Sequence, residues 1–103
     1  MNRILLGSLI VATSFGMLLS AAQAAGDIAA GKTKSARCVA CHGANGQGVP
    51  PNPPLAGKPE AEQVKALKDY KSGARPNAVM KAIATPLSDQ DMEDMSAYYA
   101  SLK

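Results

Sequence analysis

Near the C-terminal end of the chain, the apolar positions Met92, Met95, Tyr99 and Leu102 recur at i, i+3, i+7 and i+10 and set one stripe along a helix. Ser88 stands ahead of it as an N-cap. Asp89, Asp91, Glu93 and Asp94 crowd the first turns, where carboxylates complement the positive end of the helix dipole. A second amphipathic segment carries Ala61, Val64 and Leu67 at spacings of three, with Tyr70 next. Pro59 suits its first turn, and Gly73 ends it after about Lys71. A first helix starts at Asp27 and runs toward Cys41 on a thinner pattern of Ile28, Ala29, Ala36 and Val39. Pro76 and Pro86 bracket "NAVMKAIAT", which leaves room for two helical turns at most. Between the first and second helices, "GANGQGVPPNPPLAGK" holds four glycines and four prolines, a composition that excludes helix and central strand. No segment alternates with period two. The pattern therefore predicts an all-α domain of three main helices joined by long connections.

The opening residues read differently. Arg3 supplies a short positive end, Ile4 to Leu19 is uncharged and largely apolar, and Ala22-Gln23-Ala24 forms a small-x-small site. This predicts a secretory signal peptide over residues 1–24, cleaved before Ala25, and a mature domain over residues 25–103. A retained membrane anchor is the alternative, but the apolar run is short against the roughly 20 residues that a span needs. The expected location is the periplasm, with no stable membrane insertion after cleavage. So small a domain buries little surface and often needs a staple, a metal or a cofactor. The whole chain has one Phe and no Trp, so few large side chains are available to fill a core. Without Arg3 there are ten Lys and Arg against eight Asp and Glu. That balance suits solubility and an acidic docking partner and is too weak for nucleic acid.

"CVACHGANGQG", Cys38 to Gly48, holds both cysteines and the only histidine. Four chemistries compete for it. A structural disulfide would close so small a loop that little chain entropy is removed. A redox dithiol is expected beside a βαβ pattern, which is absent here. A closed zinc site takes four ligands, and no second Cys/His cluster completes one. The C-x-x-C-H pattern is the named signature of covalent haem attachment. On a helical turn Cys38 and Cys41 share a face, so each thiol can add across one porphyrin vinyl group. His42, four residues from Cys38, leans toward the same face and reaches the iron. One haem c would also supply the large apolar body that the composition lacks.

A ligating histidine needs its other ring nitrogen held by an acceptor. Prolines keep a carbonyl on a stiff backbone, and Pro54 in the proline-rich loop is the expected partner. With His42 used, a methionine thioether is the natural sixth ligand. Met92 and Met95 sit on the apolar stripe, where methionine usually fills a core. Met80, far along the chain from His42, is the expected ligand. A core role for Met80, with another group at the sixth position, remains the alternative.

These residues resemble a class I cytochrome c, and more narrowly the small bacterial c5/c553 type and single domains of the c4 type. The matching pieces are "CVACHGANGQG", "PPLAGKP", "LKDYKSGARPNAVM" and "LSDQDMEDMSAYYASL". The resemblance implies a helical fold wrapped around one haem, with Cys38 and Cys41 as thioether positions, His42 and Met80 as axial ligands and Pro54 as the histidine's acceptor. It places Gly31 and either Tyr98 or Tyr99 where the terminal helices cross. The implied protein is a monomeric one-electron carrier between a redox donor and a redox acceptor of a respiratory chain, not an enzyme. Two rival functions share the motif. One is an electron-transfer subunit of a dehydrogenase or oxidase complex, and the other is a haem enzyme or sensor whose methionine leaves the iron. Lys58, Lys65, Lys68, Lys71, Arg75 and Lys81 are the candidate docking cations.

Overall fold

A computed structural model describes residues 26–103, so the segment read as a secretory signal lies outside the described residues. The first helical stretch begins where the sequence places it. Asp27 accepts a hydrogen bond from the Ala30 N–H at 3.0 Å and caps α1, Ile28–Lys34. It does not continue as one α-helix, however. A tighter 3₁₀ segment, Ser35–Cys38, intervenes before the single turn α2, Val39–His42. Gly43, at φ 93°, ends that turn, a conformation open to glycine at no steric cost.

The loop from Gly43 to Lys58 contains no helix, and its backbone groups find partners nonetheless. Gly46 O accepts from the N–H groups of Leu55 and Ala56 at 2.7 and 2.9 Å, and Gly48 N–H donates to His42 O at 2.7 Å. α3 spans Glu60–Ser72, with Pro59 just before it rather than inside its first turn, and with Gly73 in the left-handed conformation behind it. α4, Ala78–Ala84, fits between the two prolines, capped by Asn77 on the Met80 N–H. α5, Asp89–Ser101, opens with a full capping box. Ser88 Oγ accepts from Asp91 N–H, and the Asp91 carboxylate accepts from Ser88 N–H, both at 3.0 Å. Among the described residues there is no strand, only an isolated bridge between Val49 and Asn52.

Leu87, Met92 and Met95 form the core cluster, with Cys38 and Leu67 packed against it. The two stripe methionines are thus core side chains. α1 crosses α5 with almost no gap. A Cβ on Gly31 would lie 1.9 Å from the Asp94 carbonyl oxygen and 2.8 Å from the Cβ of Tyr98. Tyr98, rather than Tyr99, therefore meets Gly31 at the crossing.

The crossing is also stitched electrostatically. Asp94 keeps only 4 % of its side chain exposed, and Lys34 donates to it at 2.6 Å and to Asp91 at 2.9 Å. Asp94 further accepts from the Asp27 N–H and from Gln90, each at 2.8 Å. Burial favours the neutral acid at Asp94, but the bonds from Asp27, Lys34 and Gln90 override it and hold the carboxyl below the usual range. The Ser88 N–H, and after it Lys34, lower Asp91 to about 2.

Both carboxylates titrate lower in the folded chain than in the unfolded one. Their contribution is therefore complete above the ordinary value of 3.8 and is lost as pH falls through the folded values. Denaturant unfolding of the holoprotein should show stability dropping between about pH 4 and pH 2. Asp94→Ala should cost roughly 1–3 kcal/mol at neutral pH, because it removes the acceptor that the Asp27 N–H, Lys34 and Gln90 share at the crossing. The variant should also show a shallower acid slope than the parent.

Candidate functional site

The C-x-x-C-H motif straddles the junction of the 3₁₀ segment and α2. Cys38 closes the 3₁₀ segment half-buried, Cys41 lies exposed on α2, and neither is in a disulfide. His42 ends α2 with 6 % of its surface exposed. Among the described residues, no three His, Cys, Asp or Glu side chains converge on a point that would hold a metal ion.

A cavity of about 660 Å³ opens beside the motif, within the roughly 300–1,000 Å³ usual for cofactor pockets. Cys38, Cys41 and His42 line one part of it. Leu67 of α3, Met80 and Ile83 of α4, and Met95 and Tyr99 of α5 line the rest. The structure thus brings Cys38, Cys41, His42 and Met80 onto one wall system, although Met80 lies 38 residues beyond His42. The Asn77 cap orients the first turn of α4 and so the position of Met80.

Pro54 does not hold the histidine. His42 Nδ1 lies 2.8 Å from the carbonyl oxygen of Pro53. The peptide that joins the two prolines carries the carbonyl of Pro53, while Pro54 contributes only its nitrogen. That nitrogen packs toward Gly48, where a Cβ would lie 2.8 Å away. The two bonds to Gly46 O and the one from Gly48 to His42 O fold the loop so that this peptide faces the imidazole. Because a carbonyl only accepts, Nδ1 carries the proton, and Nε2 is left with its lone pair, available to a ligand.

Three positions went unread in the sequence. Pro53 is one residue from the expected acceptor, and no composition signal separates neighbouring prolines. Tyr99 and Met95 stand on the α5 stripe, so their inward direction was visible, but their place on a cavity wall was not. Tyr99 is 3 % exposed, and its ring lies against Gly46, where a Cβ would come within 2.7 Å of two ring carbons. Burial, with smaller effects from Cys38 and other neighbours, pushes its phenol up to about 12. Burial likewise raises the Cys38 thiol.

The chain matches the family model described as Cytochrome c over residues 28–103. It is 45 % identical over 104 residues to a cytochrome c4 of Pseudomonas aeruginosa, covering all of this chain and 50 % of that one. It is 44 % identical over 81 residues to cytochrome c-554(548) of Halomonas halodenitrificans, covering 75 % of this chain and 98 % of that protein. The crystal structure of reduced recombinant cytochrome c4 from Pseudomonas stutzeri superposes with a TM-score of 0.72 at 43 % identity, over 77 % of this chain and 47 % of that one. The chain spans about half the length of the cytochrome c4 relatives it matches.

The loop around Gly48, at φ 85°, is what sets the histidine's partner. Gly48→Ala should cost roughly 1–3 kcal/mol of stability from its backbone conformation alone. It should also push the Pro53–Pro54 peptide off His42. Unfolding in denaturant measures the first effect, and the exchange rate of the imidazole Nδ1 proton by NMR measures the second.

Proposed function

The chain belongs to the cytochrome c family and has the class I cytochrome c fold, and from that premise we propose that it is a periplasmic one-electron carrier with a six-coordinate His/Met haem. The family carries haem c bound covalently, and the two cysteines of this chain stand in the matching C-x-x-C-H pattern. The single observation that carries the proposal is that Cys38, Cys41, His42 and Met80 line one cavity, with His42 oriented through Nδ1.

The residues fit the group. Cys38 and Cys41 would hold the haem through thioether bonds, and His42 Nε2 and the Met80 sulfur would ligate its iron. Leu67, Ile83 and Met95 give the cavity apolar walls. When bound, the haem iron supplies reversible one-electron chemistry. The polypeptide would hold that centre rigidly and keep water from most of it, and with His42 and Met80 both on the iron no open site would remain for a substrate. Met80 ligation raises the potential. The nearly full-length match to the Halomonas cytochrome supports a shuttle that works alone. The half-length match to cytochrome c4 supports a second reading, in which this domain acts beside another redox domain or subunit.

Intact mass of the secreted protein under denaturing, reducing conditions tests the proposal. The expected mass is residues 25–103 plus one haem. A haem-free mass from cells able to mature c-type cytochromes would sink the carrier reading. Met80→Ala should convert a protein that resists carbon monoxide at neutral pH into one that binds it readily. It should also lower the potential. A parent that already binds the gas would favour a sensor or enzyme.

Docking to a redox partner rests on the basic face. Lys65 is engaged with Asp69 at 2.6 Å, and Lys71 donates to the Leu87 carbonyl. Lys58, Lys68, Arg75 and Lys81 remain the candidates for steering. Electron-transfer rates with an acidic partner should fall several-fold between about 0.01 and 0.1 M ionic strength, as the screening length shrinks from ~30 to ~10 Å. A flat response would remove the steering role.

A further inference from the structure

The hydroxyl of Tyr99 is a buried polar group that the fold leaves without a hydrogen-bond partner. The Ser35 hydroxyl is in the same condition, with Ser35 only 1 % exposed. Such groups are costly, and native proteins seldom leave them unsatisfied without a reason. The ring of Tyr99 is held firmly, between the packing of α5 and the close approach of Gly46. Cys38 ends the 3₁₀ segment that Ser35 begins, and no hydrogen bond joins either side chain to the Tyr99 hydroxyl. Tyr99 and Cys38 line the same cavity, whereas Ser35 is not among its walls.

Attachment changes what Cys38 can do. A thiol both donates and accepts, whereas a thioether sulfur has lone pairs and no proton. Tyr99 then faces an acceptor, and its phenol is protonated at neutral pH. We propose that Tyr99 is a positioning residue for electron transfer, whose hydroxyl donates to the Cys38 sulfur and raises the midpoint potential. This rests on the reading of Cys38 as a thioether position. The positive end of the O–H dipole then points at the edge of the cofactor, inside a site of low dielectric. It favours the form that carries the extra electron. Tyr99→Phe removes the dipole and keeps the ring that packs on Gly46.

The test uses the haem-loaded protein, its Tyr99→Phe variant and Tyr98→Phe as a control. Tyr98 is the adjoining ring, 5.1 Å away between centroids, and it sits at the helix crossing rather than on the cavity. Denaturing mass comes first. Absence of covalent haem from the parent would overturn the carrier reading itself and so remove the basis of this inference. With haem present, Tyr99→Phe should shift the reduced-to-oxidised equilibrium about threefold toward the oxidised form, about 28 mV at 59 mV per decade. Tyr98→Phe should leave it unchanged. Resonance Raman spectra of the parent refolded in D₂O should show a displaced thioether C–S band, and the displacement should vanish in Tyr99→Phe. An unchanged potential in Tyr99→Phe overturns the proposal. So does a parent C–S band that is indifferent to deuterium, a result that decides the matter even where the variant fails to fold.

Discussion

The contact that the rest of this molecule depends on is the crossing of α1 over α5. At Gly31 the two backbones approach so closely that a single methyl group would overlap the Asp94 carbonyl. The same residue, Asp94, turns its carboxylate back to the start of α1 and to Lys34. Close packing and ion pairing therefore act at one point and reinforce one another. The pairing would be worth little on an open surface. Here Asp94 is nearly buried and each of its oxygens has a partner, which is the condition under which a buried charge is tolerated.

From that crossing the geometry of the cavity follows. α1 is pinned at Gly31, so the chain leaving it at Ser35 is delivered against the inner face of α5. Tightening into a 3₁₀ turn brings Cys38 onto the core cluster, and α2 then turns His42 inward. The return loop is tied to α5 as well, through the Gly57 N–H on the Tyr99 carbonyl at 2.9 Å. α5 thus anchors both the strand of chain that carries the motif and the loop that orients its histidine. α4 closes the opposite side with Met80, and its placement rests on short connections to α3 and α5 rather than on contact with α1. In a domain with so few large side chains, α1 packs directly on α5, while α3, α4 and α5 also supply walls to the cavity.

Much of this was readable in advance because it depends on local chemistry. Asp27, Ser88 and Gly73 mark helix ends by what their own side chains or backbone can do within a turn. The α5 stripe at Met92, Met95 and Tyr99 is a matter of period. The haem motif is five consecutive residues. What escaped depends on how distant pieces meet. The 3₁₀ interruption at Ser35 has no sequence mark, since the crossing at Gly31 and the inward pull on Cys38 impose it. The choice of Pro53 over Pro54 follows from the Gly46 and Gly48 hydrogen bonds, which only the folded loop makes. Tyr98 and Tyr99 are adjacent on the chain and divide their duties by about 100° of helical rotation. One meets a glycine at the crossing, and the other meets the cavity.

The charge distribution shows the same division between holding the fold and serving the site. Lys34 is committed to Asp91 and Asp94, Lys65 to Asp69, and Lys71 to a backbone carbonyl. The acidic start of α5 is likewise occupied, by its own helix dipole, its capping box and Lys34. Arg37, Lys58, Lys65 and Arg75 line the cavity, interspersed with Glu62 and Asp69, and Arg75 is set over the Tyr70 ring at 5.3 Å. On the carrier reading this is the useful arrangement. A pair with a nearly buried member, such as Lys34 with Asp94, acts at short range and is little screened by salt, whereas exposed charges around the cofactor act at long range on an approaching partner. The cavity lining carries four cations, Arg37, Lys58, Lys65 and Arg75, against two carboxylates, Glu62 and Asp69, so the positive balance of the chain is present at the cavity.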